Sequence, residues 1–171
     1  GFEWGPVGGG VGGGVTSSYV NGDTLYIAGR FSDTERRGNL AALDADGTWR
    51  SLCDVGFDPA SSVGCGVSGG EVYAMIELRG SLYVGGSFQR AGFATARKMA
   101  RWDGTAWSSM GTFNGDVRAL AVMGERVFAA GLFTEVNGEP MSRIAVLDGT
   151  KWVPLDGGVD GSVSALMGVD S

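Results

Sequence analysis

The chain has 171 residues, 32 of them glycine and only 4 proline, with 43% hydrophobic and 10% aromatic content. That composition can bury a core and excludes collagen-like repeats and low-complexity disorder. Its 19 acidic and 13 basic residues leave a net charge of −6, which speaks against a nucleic-acid partner, and the absence of histidine removes the commonest general base and the commonest ligand of catalytic zinc or copper.

Read from its start, the chain opens with a half-unit over residues 1–14. Trp4-Gly5-Pro6-Val7 leads into the glycine run of Gly8 to Gly14, and no Lys-Ser/Thr signal follows, so this is a connector and not a phosphate loop. The start at Gly1, with no charged and apolar leader, leads us to expect a mature segment or an excerpt of a longer chain.

A first unit is expected over 15–52. It contains Leu25-Tyr26-Ile27-Ala28-Gly29-Arg30-Phe31, then Leu40-Ala41-Ala42-Leu43-Asp44, then Trp49. Residues 53–66 form an insertion rich in Gly, Ser, Asp and Pro. It holds the only two cysteines, Cys53 and Cys65, for which a local disulfide in an oxidising compartment is expected.

The pattern then returns twice. The second unit (71–111) carries Leu82-Tyr83-Val84-Gly85-Gly86-Ser87-Phe88, Met99-Ala100-Arg101-Trp102-Asp103 and Trp107. The third (117–156) carries Val127-Phe128-Ala129-Ala130-Gly131-Leu132-Phe133, Ile144-Ala145-Val146-Leu147-Asp148 and Trp152. A closing half-unit (157–171) repeats the opening glycine pattern. Trp4, Trp49, Trp107 and Trp152 stand 45, 58 and 45 residues apart, so the two ends are in phase.

Each unit reads as four short strands. In the third these are Val117 to Val122, Arg126 to Phe133, Arg143 to Asp148 and Lys151 to Leu155, joined by glycine turns. Four strands in about 45 residues is the period of a propeller blade. The small pairs Ala28-Gly29, Gly85-Gly86 and Ala130-Gly131 are expected to let neighbouring sheets approach, with Tyr26, Tyr83 and Phe128 and the in-phase tryptophans wedged between them.

These motifs resemble the kelch and galactose-oxidase-like propeller pattern. They resemble more closely the long surface and secreted proteins built of "LYVGGxF…ARWDGxxW" units, including the fungal cortical markers of cell polarity. The resemblance spans essentially the whole chain and implies architecture only; the copper chemistry of galactose oxidase needs histidine ligands that this chain lacks.

Other motifs carry less. Asp44-Ala45-Asp46-Gly47 begins like a calcium loop but lacks the later ligands, and neither Asp44 to Trp49 nor Asp103 to Trp107 matches a sialidase Asp box. Glu71, Glu77, Glu125, Glu135 and Glu139 include no pair singled out for glycoside hydrolysis. Asn21, Asn39, Asn114 and Asn137 are not N-glycosylation acceptors.

Phe57, Phe93 and Phe113 fall outside the repeated pattern and, with Arg97 and Arg143, form the candidate contact surface. Arg36-Arg37 and Arg97-Lys98 precede third strands, as Arg143 does. The expectation is therefore an all-β, propeller-type array of three four-stranded blades with a half-blade at each end. We expect no catalytic residue, cofactor, metal or membrane span. The expected role is a non-enzymatic, extracellular structural, filament-forming or interaction module whose partner is protein, either copies of itself or the remaining blades of a longer chain. A carbohydrate- or protein-binding lectin-like propeller, with glycans as partners, is the alternative, and a glycosidase comes third.

Overall fold

The computed structural model describes residues 11–31, 38–57 and 64–168. Trp4 and Arg36-Arg37 lie outside them. The described chain is all-β, with no helix. Strands β1 (Gly13–Asn21), β2 (Thr24–Phe31), β3 (Leu40–Leu43) and β4 (Trp49–Ser51) pair in chain order as one antiparallel sheet. After β5 (Val67–Ser68) come β6 (Val72–Leu78), β7 (Ser81–Gly86), β8 (Arg90–Ala91), β9 (Ala94–Thr95), β10 (Met99–Trp102) and β11 (Trp107–Ser109). Of these, β6, β7, β10 and β11 form a second four-stranded sheet, and β5, β8 and β9 a small three-stranded one. The third sheet consists of β12 (Val117–Met123), β13 (Arg126–Gly131), β16 (Ile144–Asp148) and β17 (Lys151–Pro154). Its second and third strands are separated by the hairpin of β14 (Glu135–Val136) and β15 (Glu139–Pro140).

The three four-stranded meanders thus run over 13–51, 72–109 and 117–154. The hairpins β8–β9 and β14–β15 are additions to the four-strand reading. Asn137 and Gly138, both at positive φ, are the residues that a two-residue hairpin turn demands.

Each sheet has the same irregularity. The ladder between its first two strands slips between Val15 and Ser17, between Val72 and Ala74, and between Val117 and Ala119, leaving Thr16, Tyr73 and Arg118 as bulge residues. Gly29, Gly86 and Gly131 stand opposite. A methyl group on them would collide with the carbonyl oxygens of Gly14, Glu71 and Asp116, all in the strand-one segment of the same sheet. This corrects the expectation that both small residues of each pair serve approach between sheets. The second glycine makes room for the bulge, and only at Gly85, where a Cβ would lie 2.5 Å from Val117 Cγ1, is the close approach to the next sheet.

The sheets pack face to face. Tyr26, Ala28 and Ala42 of the first meet Leu82, Val84, Trp102 and Trp107 of the second. The opposite face of the second sheet, with Tyr83, Met99 and Ile76, meets Leu120, Val127, Ala129 and Trp152 of the third. Tyr26 and Tyr83 therefore face the following sheet, and Trp107 and Trp152 face the preceding one. Trp107 Nε1 donates to the Leu52 carbonyl at 2.8 Å, and Trp152 Nε1 donates to that of Met110. Leu52 and Met110 each lie three residues past a tryptophan, so the same stitch is made at both joints.

The bulge account makes a direct prediction. Gly86→Ala or Gly131→Ala should lower unfolding free energy by about 2–4 kcal/mol, since the added methyl meets backbone that cannot yield. Gly161→Ala, with open space around it, should stay within about 0.5 kcal/mol of wild type in the same denaturant titration.

Candidate functional site

The insertion that distinguishes the second unit is built into the fold at its root. Cys53 and Cys65 are disulfide-bonded and form an isolated antiparallel bridge. Next to them Asp54 is 5% exposed, the one charged residue buried in the core among the described residues. Its carboxylate accepts the backbone N–H of Phe93 at 2.5 Å and of Trp107 at 2.6 Å, while Val55 N donates to the Thr105 carbonyl at 3.1 Å. Hydrogen bonds to a charged acceptor are the strong ones, so Asp54 ties the loop to the second sheet's hairpin and outer strand. Sequence reading singled out the cysteines and missed Asp54, which has no motif around it. Residues 58–63 lie outside the described part.

The candidate contact residues separate. Phe57, partly exposed, and Phe93, 49% exposed, converge on Gly64: a Cβ there would lie 3.0 Å from Phe57 Cβ and 2.8 Å from Phe93 Cζ. Phe113 is not a surface residue. It is 1% exposed, packed edge-on against Phe133 and Trp152 with centroids 4.8 and 5.3 Å away, and bridges Val136 as Val67 pairs with Ala91. The irregular spacing of the insertion hid that correspondence. Arg97 is exposed. Arg143 is half-buried, its Nη1 3.5 Å from the Val159 carbonyl. Asn39, Lys98 and Arg143, each just before a third strand, share the left-handed backbone conformation, and Lys98 reaches Asp116 of the following sheet's entry at 2.9 Å.

The acidic motifs serve turns. Asp44 accepts Arg50 Nε at 2.7 Å and Thr24 Oγ1 at 3.2 Å, and Asp46 accepts Thr48 N–H at 2.8 Å. Asp103 Oδ1 accepts the N–H groups of Thr105 and Ala106 and the Thr105 hydroxyl, all within 2.9 Å. Glu71 pairs with Arg30, Glu77 accepts Gly80 N–H and an amide from Asn21, and Glu125 pairs with Arg79. The last two couple first turns of adjacent sheets.

Concave features remain among the described residues. A cavity of about 410 Å³ is lined by Tyr73, Arg118 and Ser164; two of these are bulge residues and Ser164 is in phase with Thr16. A groove between the second and third sheets, of about 520 Å³, is lined by Tyr83, Arg101 and Leu147 among others. On the far face of the third sheet, Ala121, Phe128 and Val146 form an apolar cluster with Val153, Leu155 and Leu166. Residues 163–168 run over that face without joining a ladder, and Val163 N–H reaches the Gly131 carbonyl at 3.3 Å.

Two measurements follow. The Arg50 hydrogen bond holds the Asp44 carboxyl below its ordinary 3.8, and the Thr105 and Ala106 N–H groups do the same for Asp103. A depressed folded value means the stabilisation is present above the ordinary carboxylate range and is lost as pH falls below about 4. Asp103→Asn should therefore lower the melting temperature at neutral pH, with the gap to wild type closing on acidification. Cys53→Ser/Cys65→Ser should cost about 2–3 kcal/mol in denaturant unfolding, from the freed 12-residue span.

Neither a family model nor a curated protein matches this chain.

Proposed function

We propose that the chain is a non-enzymatic, extracellular repeat segment of the β-propeller type, its three four-stranded sheets serving as blades, and that it works as a structural or assembly module. The observation that carries this reading is the outward row of the third sheet. Directly paired residues Ala121, Phe128, Val146 and Val153 cross that sheet on one face. The corresponding rows are Tyr19, Tyr26, Ala42 and Arg50 on the first sheet and Ile76, Tyr83, Arg101 and Ser108 on the second. Both stand on the face turned to the following sheet. The third row is the most apolar of the three; among the described residues, 163–168 run over it, burying Ala121, Phe128 and Val146 and leaving Val153 half-buried. A face of this kind suits another sheet of the same construction, supplied by further repeats or by a second copy of the chain.

The disulfide supports an oxidising, extracellular setting. The kelch-like motifs support a blade-type unit. No described helix is long and apolar enough to cross a membrane.

Sedimentation velocity tests the assembly reading. The chain should associate with rising concentration, and Val153→Lys or Met167→Lys, at half-buried and 85% exposed positions on or over this face, should weaken association at least tenfold without lowering the melting temperature. A monomer up to sub-millimolar concentration, or association unchanged in both variants, overturns it.

A further inference from the structure

Arg101 breaks the pattern of its own position. The residues that correspond to it are Ala42 in the first sheet and Val146 in the third, both buried and apolar. In the second sheet a guanidinium stands there instead. It lies directly across the ladder from Tyr83, on the face turned to the third sheet.

Its Nε is out of reach of water and has no hydrogen-bond partner, and no described carboxylate forms an ion pair with it. The residue is half-buried and the Asp103 carboxylate lowers the cost of its charge, so what is left unmet is the Nε donor, a cost that alanine or valine at this place would not carry.

The space beside it is large enough to hold what compensates it. Two neighbouring cavities, of about 520 and 270 Å³, share Tyr83, Arg101, Leu147 and Gly149 in their walls. The first opens at the Arg79–Glu125 pair. The second adds the Trp152 ring and the polar groups of Ser109, Asn137 and Thr150.

We propose that this groove binds a carboxylate-bearing sugar. The planar guanidinium fork of Arg101 matches a carboxylate, and the hydroxyl and amide groups of Ser109, Asn137 and Thr150, beside the edges of the buried Tyr83 and Trp152 rings, suit the hydroxyls of a sugar. Neutral sugars leave the Arg101 charge unmet, and small carboxylates leave the aromatic and hydroxyl walls unused. The site lies between the second and third sheets, away from the assembly face, and does not depend on the assembly reading.

The test is a titration of the whole chain, ¹⁵N-labelled, with D-glucuronate, D-glucose and acetate in parallel. Glucuronate should saturate, with shift changes centred on the amides of Tyr83, Arg101, Leu147 and Gly149, and bind roughly tenfold or more tightly than either other ligand. Arg101→Val, which installs the residue of the third sheet, should melt no lower than wild type and lose glucuronate binding by at least about tenfold. Val153→Lys should bind glucuronate as wild type does, which separates this site from the assembly face. Glucose or acetate binding as tightly as glucuronate, or no saturation by glucuronate, overturns the proposal. So does unchanged binding in Arg101→Val. If that variant does not fold, the wild-type ranking of the three ligands decides the matter alone.

Discussion

The structure depends on how one sheet is fastened to the next. At both joints the fourth-strand indole turns towards the preceding sheet and gives its N–H to a backbone carbonyl there, from Trp107 to Leu52 and from Trp152 to Met110. A buried indole needs a partner for its N–H, and a carbonyl has two lone pairs, so that of Leu52 takes the indole besides the Gly66 N–H. One bond of this kind contributes about 1 kcal/mol net, so it is the accompanying burial of the ring that supplies most of the stabilisation. The hydrogen bond fixes where the ring goes. Tyr26 and Tyr83 fill the other side of each joint, and the direction from one sheet to the following one is thereby the same at both.

Much of this could be read in the sequence because it rests on local chemistry repeated at a fixed interval. The returning Leu-Tyr-Ile-Ala-Gly, Leu-Tyr-Val-Gly-Gly and Val-Phe-Ala-Ala-Gly runs place the second strands, and the glycine turns beside Arg79 and Asp148 place the connections. The tryptophan spacing places the fourth strands. What it did not place depends on partners far away along the chain. Asp54 is an ordinary acid in an irregular segment until the fold brings the N–H groups of Phe93 and Trp107 to it. Phe113 reads as an extra aromatic, yet it fills the core position that Val67 fills one unit earlier, and the insertion concealed the match. Gly29, Gly86 and Gly131 are correctly read as places without room for a side chain; the obstacle is the bulged first strand of their own sheet.

The insertion joins two kinds of constraint. A covalent bridge limits the unfolded chain, whereas the buried Asp54 carboxylate acts on the folded one by tying the loop's root to an outer strand. The first sets how far the loop can stray and the second sets where it is anchored. Lys98 and Asp116 perform a comparable task at the next joint with a half-buried ion pair.

The bulges have a further consequence. Where a ladder slips by one residue, the displaced side chain leaves the regular pairing and finds its own partners: the Thr16 hydroxyl lies against the carbonyls of Ala28 and Val72, and the Tyr73 hydroxyl against that of Ser87. Thr16, Tyr73 and Arg118 are unalike: a hydroxyl, a phenol and a guanidinium occupy equivalent places on the same frame. The space between the first strands is thus lined by a different chemistry at each joint, although the frame that carries it is the same.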